Sequence, residues 1–309
     1  YMHINNTNLI IADDSSGFLI DCGAGGTFEK LVRLKQSGRL KSIDGIFITH
    51  YHDDHTNYIN NVTKEFGCPV YSTTELKEIL ENPGAFNLPC LTTESITNLN
   101  IMQNGQKMIW KDFTLTFHFF PGQTLYHDAL LFEKRTGEAI FFIGDSFTPT
   151  GIDDYCLLNR NFLHPGTGYL YCLDILKKLP GNVLLANQHV EPLFSFSGQQ
   201  LDQMKNILLE RNSLLKDMFP WDNVNYGTDE QWISIHPYGQ KVIPGETVEY
   251  TVKIFNHSEV IKTFIIDPDV PEGFKMEPET ALINIKPLTE GEQTFKVKVP
   301  KHAPPGITL

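Results

Sequence analysis

The sequence predicts an α/β domain over residues 1–220, a linker at 221–230 and a small all-β sandwich at 231–309. Three observations carry this reading. Short apolar runs bounded by turn residues interleave with helix-period segments through the first part. Beyond residue 230 only period-two alternation remains. Within the first part, Thr49-His50-Tyr51-His52-Asp53-Asp54-His55 packs three imidazoles and two carboxylates directly behind a predicted strand.

The elements follow in order. Residues 9–12 and 18–20 are apolar runs separated by Asp13-Asp14-Ser15-Ser16-Gly17, which predicts a hairpin. Phe28, Leu31, Val32 and Leu34 recur at helical spacing up to Gly38, and 43–48 follows as an apolar strand. Residues 69–71 read as a strand, 73–80 as a helix opened by threonine, and 113–120, 129–133 and 139–143 as strands, the last closed by Gly144-Asp145. A helix over 169–179 stops at Pro180-Gly181, a strand at 183–186 follows, and 198–218 is an amphipathic helix. The order implies an α/β mixture with many antiparallel hairpins. In the last part, Val248, Tyr250, Val252 and Ile254 alternate with polar residues, as do Phe295, Val297 and Val299. Turn signals at Pro244-Gly245 and Glu272-Gly273 separate such runs, as a β-sandwich requires.

Composition narrows the classes. Apolar residues are 41% and charged residues 20%, and no run reaches the roughly 18 apolar residues of a membrane span. With 25 Lys plus Arg against 37 Asp plus Glu, a net charge of -12 disfavours general nucleic-acid binding. Five cysteines without a C-x-x-C pair suggest buried free thiols, not a disulfide framework or a thiolate zinc site. The sequence opens on Tyr1 and closes on Ile307-Thr308-Leu309, a strand just beginning, so flanking residues are expected at both ends.

The chemistry lies in the histidine cluster. At a strand mouth His50 and His52, two apart, can point the same way, and a turn just beyond returns Asp54 and His55 to a neighbouring point. Nitrogen and oxygen ligands without thiolate suit Zn²⁺, and also Fe or Mn. Gly23-Ala24-Gly25-Gly26 lacks both the P-loop and the Rossmann spacing and reads as a turn feeding the first helix; Gly-x-Ser-x-Gly is absent.

The motif H-x-H-x-D-H, here His50, His52, Asp54 and His55, resembles that of the metallo-β-lactamase superfamily. The resemblance extends over residues 8–218: Leu19-Ile20-Asp21-Cys22-Gly23 looks like the family's early strand motif and Phe142-Ile143-Gly144-Asp145 like its bridging-aspartate strand end. It implies an αββα sandwich and two divalent cations. The first is held by His50, His52 and a later histidine, the second by Asp54, His55 and a last histidine, with Asp145 between them.

The family usually presents the later histidine as Pro-Gly-His-Thr. This chain has Pro121-Gly122-Gln123-Thr124-Leu125-Tyr126-His127, and since an amide replaces imidazole poorly, His127 is assigned over Gln123 and over His118, which sits inside an alternating strand. His189, just past the 183–186 strand, is the last ligand although the family's flanking glycines are missing; His164 reads as a loop residue. Asp54 and Asp145 are the catalytic carboxylates, and Asp21 is placed to fix a histidine tautomer. Two cations roughly 3.5 to 4 Å apart share a water, lower its pKa toward about 7 and present a bridging hydroxide to an electrophile. The implied enzyme is a zinc-dependent hydrolase of a small ester, lactone, thioester, amide or phosphodiester. The rivals are an iron-dependent oxidoreductase on the same fold and a noncatalytic surface module.

Residues 231–309 resemble the immunoglobulin-like sandwiches appended to bacterial carbohydrate-active and cell-surface proteins, on Val242-Ile243-Pro244-Gly245-Glu246, Val270-Pro271-Glu272-Gly273-Phe274 and the Val299-Pro300 strand end. A spacer or docking module is the expected role. The company such modules keep favours an extracytoplasmic bacterial setting, against which the unpaired cysteines weigh.

Overall fold

The computed structural model describes residues 5–92, 94–152, 168–190, 193–218 and 232–306. The expected linker at 221–230, the loop histidine His164 and the final run 307–309 lie outside them. The chain divides into two compact units, Tyr1–Pro83 with Leu88–Asn212, and Gly84–Asn87 with Ser213–Leu309.

The first unit contains two five-stranded sheets. One is β1 (Asn8–Ile11), β2 (Ser16–Ile20), β3 (Ser42–Phe47), β4 (Val70–Thr73) and β5 (Leu99–Met102), in that order. Only β1 and β2 pair as the expected hairpin. The β2–β3, β3–β4 and β4–β5 pairs are parallel, joined by helical crossovers. The crossovers are α1 (Thr27–Gln36), α2 (Asp53–Thr56) with α3 (Ile59–Phe66), and α4 (Thr74–Glu81). The other sheet runs β10-β9-β8-β7-β6, with β6 (Lys107–Trp110), β7 (Phe113–Phe119), β8 (Asp128–Lys134), β9 (Ala139–Phe142) and β10 (Leu184–Ala186). It is antiparallel except for the β9–β10 pair, which α5 (Gly168–Leu176) connects; α6 (Gly198–Met218) follows.

A single cluster gathers side chains from both sheets: Phe18, Ile20, Phe47 and Met102 from the first, Leu115, Phe117, Leu130, Phe132 and Phe142 from the second. Burying each such side chain is worth roughly 1.5–3 kcal/mol, which makes this shared interior the main stabilisation of the unit. A polar tie crosses the same gap: buried Asp128, at the start of β8, accepts from the Thr73 backbone N at 2.7 Å and from Thr73 Oγ1 at 2.7 Å, at the end of β4. Burial still pushes the Asp128 carboxyl well above its usual range.

The free thiols of Cys22, Cys68 and Cys172 are buried as expected, and burial pushes the Cys22 thiol up to about 12. Cys90 differs: it is exposed, in a left-handed backbone conformation with φ 53°. No helix among the described residues is long and apolar enough to cross a membrane.

The second unit is all-β. Its four-stranded antiparallel sheet runs β11-β12-β16-β14, and β13 pairs with β15 in a separate ribbon: β11 (Ile233–His236), β12 (Thr247–Phe255), β13 (Lys262–Ile266), β14 (Lys275–Glu277), β15 (Ala281–Ile285) and β16 (Glu290–Lys298). Val252, Ile254, Ile266, Ile285 and Phe295 form its core, drawn from the inward positions of the two long alternating strands and from the ribbon.

Candidate metal centre

The centre is built at one edge of both sheets. As β3 ends, the backbone N of Thr49 donates to Asp21 Oδ1 at 2.8 Å and Thr49 Oγ1 donates to Asp21 Oδ2 at 2.7 Å. Asp21 Oδ2 also accepts from His55 Nδ1 at 2.9 Å, which turns Nε2 toward Asp145 and Asp54. Gly23 lets the two segments close: a Cβ there would stand 2.0 Å from the Asp54 carbonyl carbon and 2.3 Å from His55 N. Backbone bonds Cys22 N to His55 O, at 2.8 Å, and Tyr58 N to Cys22 O, at 2.8 Å, complete the seam.

The second sheet contributes the rest. His127 forms an antiparallel bridge with His50, and Asp128 N donates to Thr49 O at 2.6 Å. Asp145 follows β9 through Gly144, whose φ of +54° and absent side chain both matter, since a Cβ would fall 2.3 Å from His127 Nε2. His189 follows β10. Where flanking glycines are missing, Asn187 shapes the turn, accepting from His189 N at 2.7 Å through Oδ1 and donating through Nδ2 to Phe147 O at 2.8 Å.

Asp145 Oδ2 is the focus. It lies 3.1 Å from His189 Nε2, 3.4 Å from His55 Nε2 and 3.7 Å from His50 Nε2. Asp54 Oδ2 is 3.2 Å from His189 Nε2, and its Oδ1 is 3.7 Å from His55 Nε2. Two sets therefore offer ligand atoms all within 4.8 Å of one another, His50, His55 and Asp145, and Asp54, His55 and His189. His52 and His127 belong to neither set but touch the first: His52 Nδ1 is 2.9 Å from His50 Nε2, and the His127 ring stacks on His50 with centroids 4.6 Å apart and planes 3° apart. His127 donates through Nε2 to Ile143 O at 3.1 Å, which leaves Nδ1 as its lone-pair nitrogen, buried with no hydrogen-bond partner.

These features fit a cation. Two atoms held by one ion at about 2.0–2.2 Å stand roughly 3 to 3.5 Å apart, the spacing seen around Asp145 and His189, and the donor set is imidazole and carboxylate. Buried Asp145 Oδ1 and His127 Nδ1 have no hydrogen-bond partner, a costly arrangement that an ion relieves.

Electrostatics set the charge states. Burial, then the neighbouring His55 and His52, hold His50 well below its ordinary value; burial drives His52 down to about 4 and His127 down to about 3. These are neutral rings, the form that ligates. Burial also opposes charge on His55, but Asp145 and Asp21 outweigh it and hold the ring well above the usual histidine value. Asp145 is correspondingly held far below the carboxylate range, against its own burial, by His55 and His189.

His118 is a strand residue, with its ring edge-on to Phe141 at 5.4 Å and its value lowered by burial to about 4. An unfolded histidine titrates near 6.5, so the stability from keeping this ring neutral is fully present above about pH 6.5 and is lost as pH falls toward 4. The melting temperature of His118→Phe is accordingly expected to fall several degrees less than wild type between pH 7 and 4.5, and identical slopes by scanning fluorimetry would contradict this.

Two site residues escaped the sequence reading. Gln123, set aside as a poor substitute for imidazole, is 9% exposed and donates through Nε2 to Asp145 Oδ2 at 3.1 Å. Asn5 reaches His55 Nε2 with its Nδ2 at 2.9 Å. The Pro121-Gly122 signal could have pointed to Gln123; nothing in Asn5-Asn6-Thr7-Asn8 marks Asn5.

An α/β two-sheet domain with imidazoles and carboxylates gathered at one sheet edge defines a metal-binding domain. Residues 3–106 match the metallo-β-lactamase superfamily. Among curated proteins the chain is 28% identical over 152 residues to a probable metallo-hydrolase of Methanocaldococcus jannaschii, covering 47% of this chain and 71% of that protein. It is 27% identical over 111 residues to a hydroxyacylglutathione hydrolase of Marinomonas sp., covering 36% of this chain and 35% of that one, so it spans about a third of that relative's length. Among solved structures, the metallo-β-lactamase GOB-18 from Elizabethkingia meningoseptica superposes with a TM-score of 0.51 at 17% identity, over 70% of this chain and 87% of that one. The first unit has the metallo-β-lactamase fold.

Proposed function

We infer that the first unit is a dinuclear metal-dependent hydrolase of a small ester, lactone, thioester, amide or phosphodiester. The observation that carries this is the convergence of two ligand sets, sharing His55, on the single oxygen Asp145 Oδ2. In this reading His50, His52 and His127 hold one cation, Asp54, His55 and His189 the other, and Asp145 lies between; zinc suits the donors best. Bound there, the cations supply Lewis-acid polarisation and a water of lowered pKa. The chain's own part is to orient. Asp21 holds His55 Nε2 toward the cations, Gln123 donates to the Asp145 carboxylate, and Asp54 and Asp145 are read as the catalytic carboxylates. The two curated relatives are named as hydrolases, which puts acyl-glutathione thioesters first among substrates to screen. Residues 231–309 are read as an immunoglobulin-like spacer or docking module.

Metal content of protein purified without chelator tests the reading. Near two zinc ions per chain are expected, reduced in His127→Ala and unchanged in His118→Ala. One iron per chain would move the case to oxidoreduction, and no metal after reconstitution would overturn it.

A further inference from the structure

The segment before β1 enters the metal centre, and no part of the ligand scheme above uses it. Asn6 N donates to Gln188 O at 2.6 Å, which stitches this segment to the strand end that carries His189. One residue earlier, Asn5 is only 8% exposed, and its carboxamide turns toward His55. His55 Nδ1 is committed to Asp21, and the Asn5 carboxamide stands against the other ring nitrogen, Nδ2 lying 2.9 Å from His55 Nε2. Asn5 Oδ1 is buried with no hydrogen-bond partner.

This contact has a second use. A cation on His55 Nε2 would take the place of the proton the metal-free ring carries there, and the contact with the Asn5 amide would change with it. A half-turn about the Cβ–Cγ bond exchanges Nδ2 and Oδ1 and brings the carbonyl oxygen to the same place. The separation of 2.9 Å from His55 Nε2 matches the edge between two neighbouring ligands of one ion, as do His189 to Asp54 at 3.2 Å and His189 to Asp145 at 3.1 Å. The ion then relieves the unpartnered oxygen.

We propose that Asn5 is a further ligand, through Oδ1, of the cation held by Asp54, His55 and His189. The inference rests on the dinuclear reading. An amide oxygen added to two imidazoles and two carboxylates raises that ion above four ligands, favours metals that accept five or six, and closes one face of the ion to water.

Cobalt(II) tests this, because its visible absorption weakens as coordination number rises. Apo-protein is titrated with cobalt against a chromophoric chelator, for wild type, Asn5→Ala, Asn5→Asp and His189→Ala, with a melting curve for each. Asn5→Ala is expected to weaken one of the two binding steps by tenfold or more and to intensify the absorption, and Asn5→Asp, which keeps an oxygen in place, to restore the affinity. Two cobalt ions bound by Asn5→Ala with wild-type affinity and spectrum, while His189→Ala loses one, would overturn the role of Asn5 and leave the dinuclear reading standing. Failure of wild type to bind two ions, or of His189→Ala to lose one, would overturn both. Asn5→Asp, nearly isosteric, decides the matter if Asn5→Ala does not fold.

Discussion

Asp145→Asn is expected to lower kcat/KM by about 10³-fold or more and to weaken cation binding by at least about 100-fold, the range found when an electrostatic or metal-orienting group is removed. The substitution changes little volume, so packing is not the cause. It replaces an oxygen that faces His50, His55 and His189 by a neutral amide, and where NH₂ takes the Oδ2 position it presents hydrogens to the cation site. It also removes the foremost charge that keeps His55 protonated without metal. Metal analysis and turnover of a screened thioester or lactone measure the two effects. A variant that retains two tightly bound ions would show that Asp145 does not lie between them.

Gly23→Ala is expected to cost about 4 kcal/mol, at the upper end of single-substitution effects, because the added Cβ meets backbone that no rotamer change can move. The colliding atoms, the Asp54 carbonyl and the His55 amide, belong to the loop that presents two ligands, so relief means displacing the motif itself. Both the melting temperature and cation affinity fall in this account. Gly25→Ala, two residues on, is the control: its Cβ meets nothing within 4 Å, and it is expected to melt within a degree or two of wild type. Equal melting for the two variants would contradict the argument.

The contrast within one glycine run shows what sequence can and cannot convey. Gly23-Ala24-Gly25-Gly26 reads as a turn into α1, and Gly26, with φ 82°, does open that helix; that Gly23 serves a contact with residues 54 and 55 is invisible without the fold. The local signals were legible. The 198–218 helix, the β1–β2 hairpin and the long alternating strands β12 and β16 follow their periodicities. Elements with little pattern escaped: α3 buries only Ile59 and Val62, and β5 and β6 have four residues each. Parallel pairing of β2, β3, β4 and β5 is set by nonlocal contacts, and no local pattern announces it. The same holds at the site. The dense 50–55 cluster announces itself, and Asp145 and His189 are reachable through strand ends and family order. Asn5 and Gln123 carry no such mark, since an amide earns its place only through what stands opposite it.

The cross-tie of Asp128 to Thr73 and the bridge of His127 to His50 fasten the second sheet to the first beside the very residues that gather around Asp145. During synthesis the 50–55 cluster leaves the ribosome long before Asp145 and His189, so no complete set of ligands exists until most of the first unit has been made. In the dinuclear reading, capture of the cations would then be a late event in the life of the chain. Once held, they act as cross-links between distant segments, whose chain entropy on opening grows with the logarithm of the enclosed length. In that reading the loaded fold would open no faster than the ions leave, and a chelator is expected to raise the rate of unfolding.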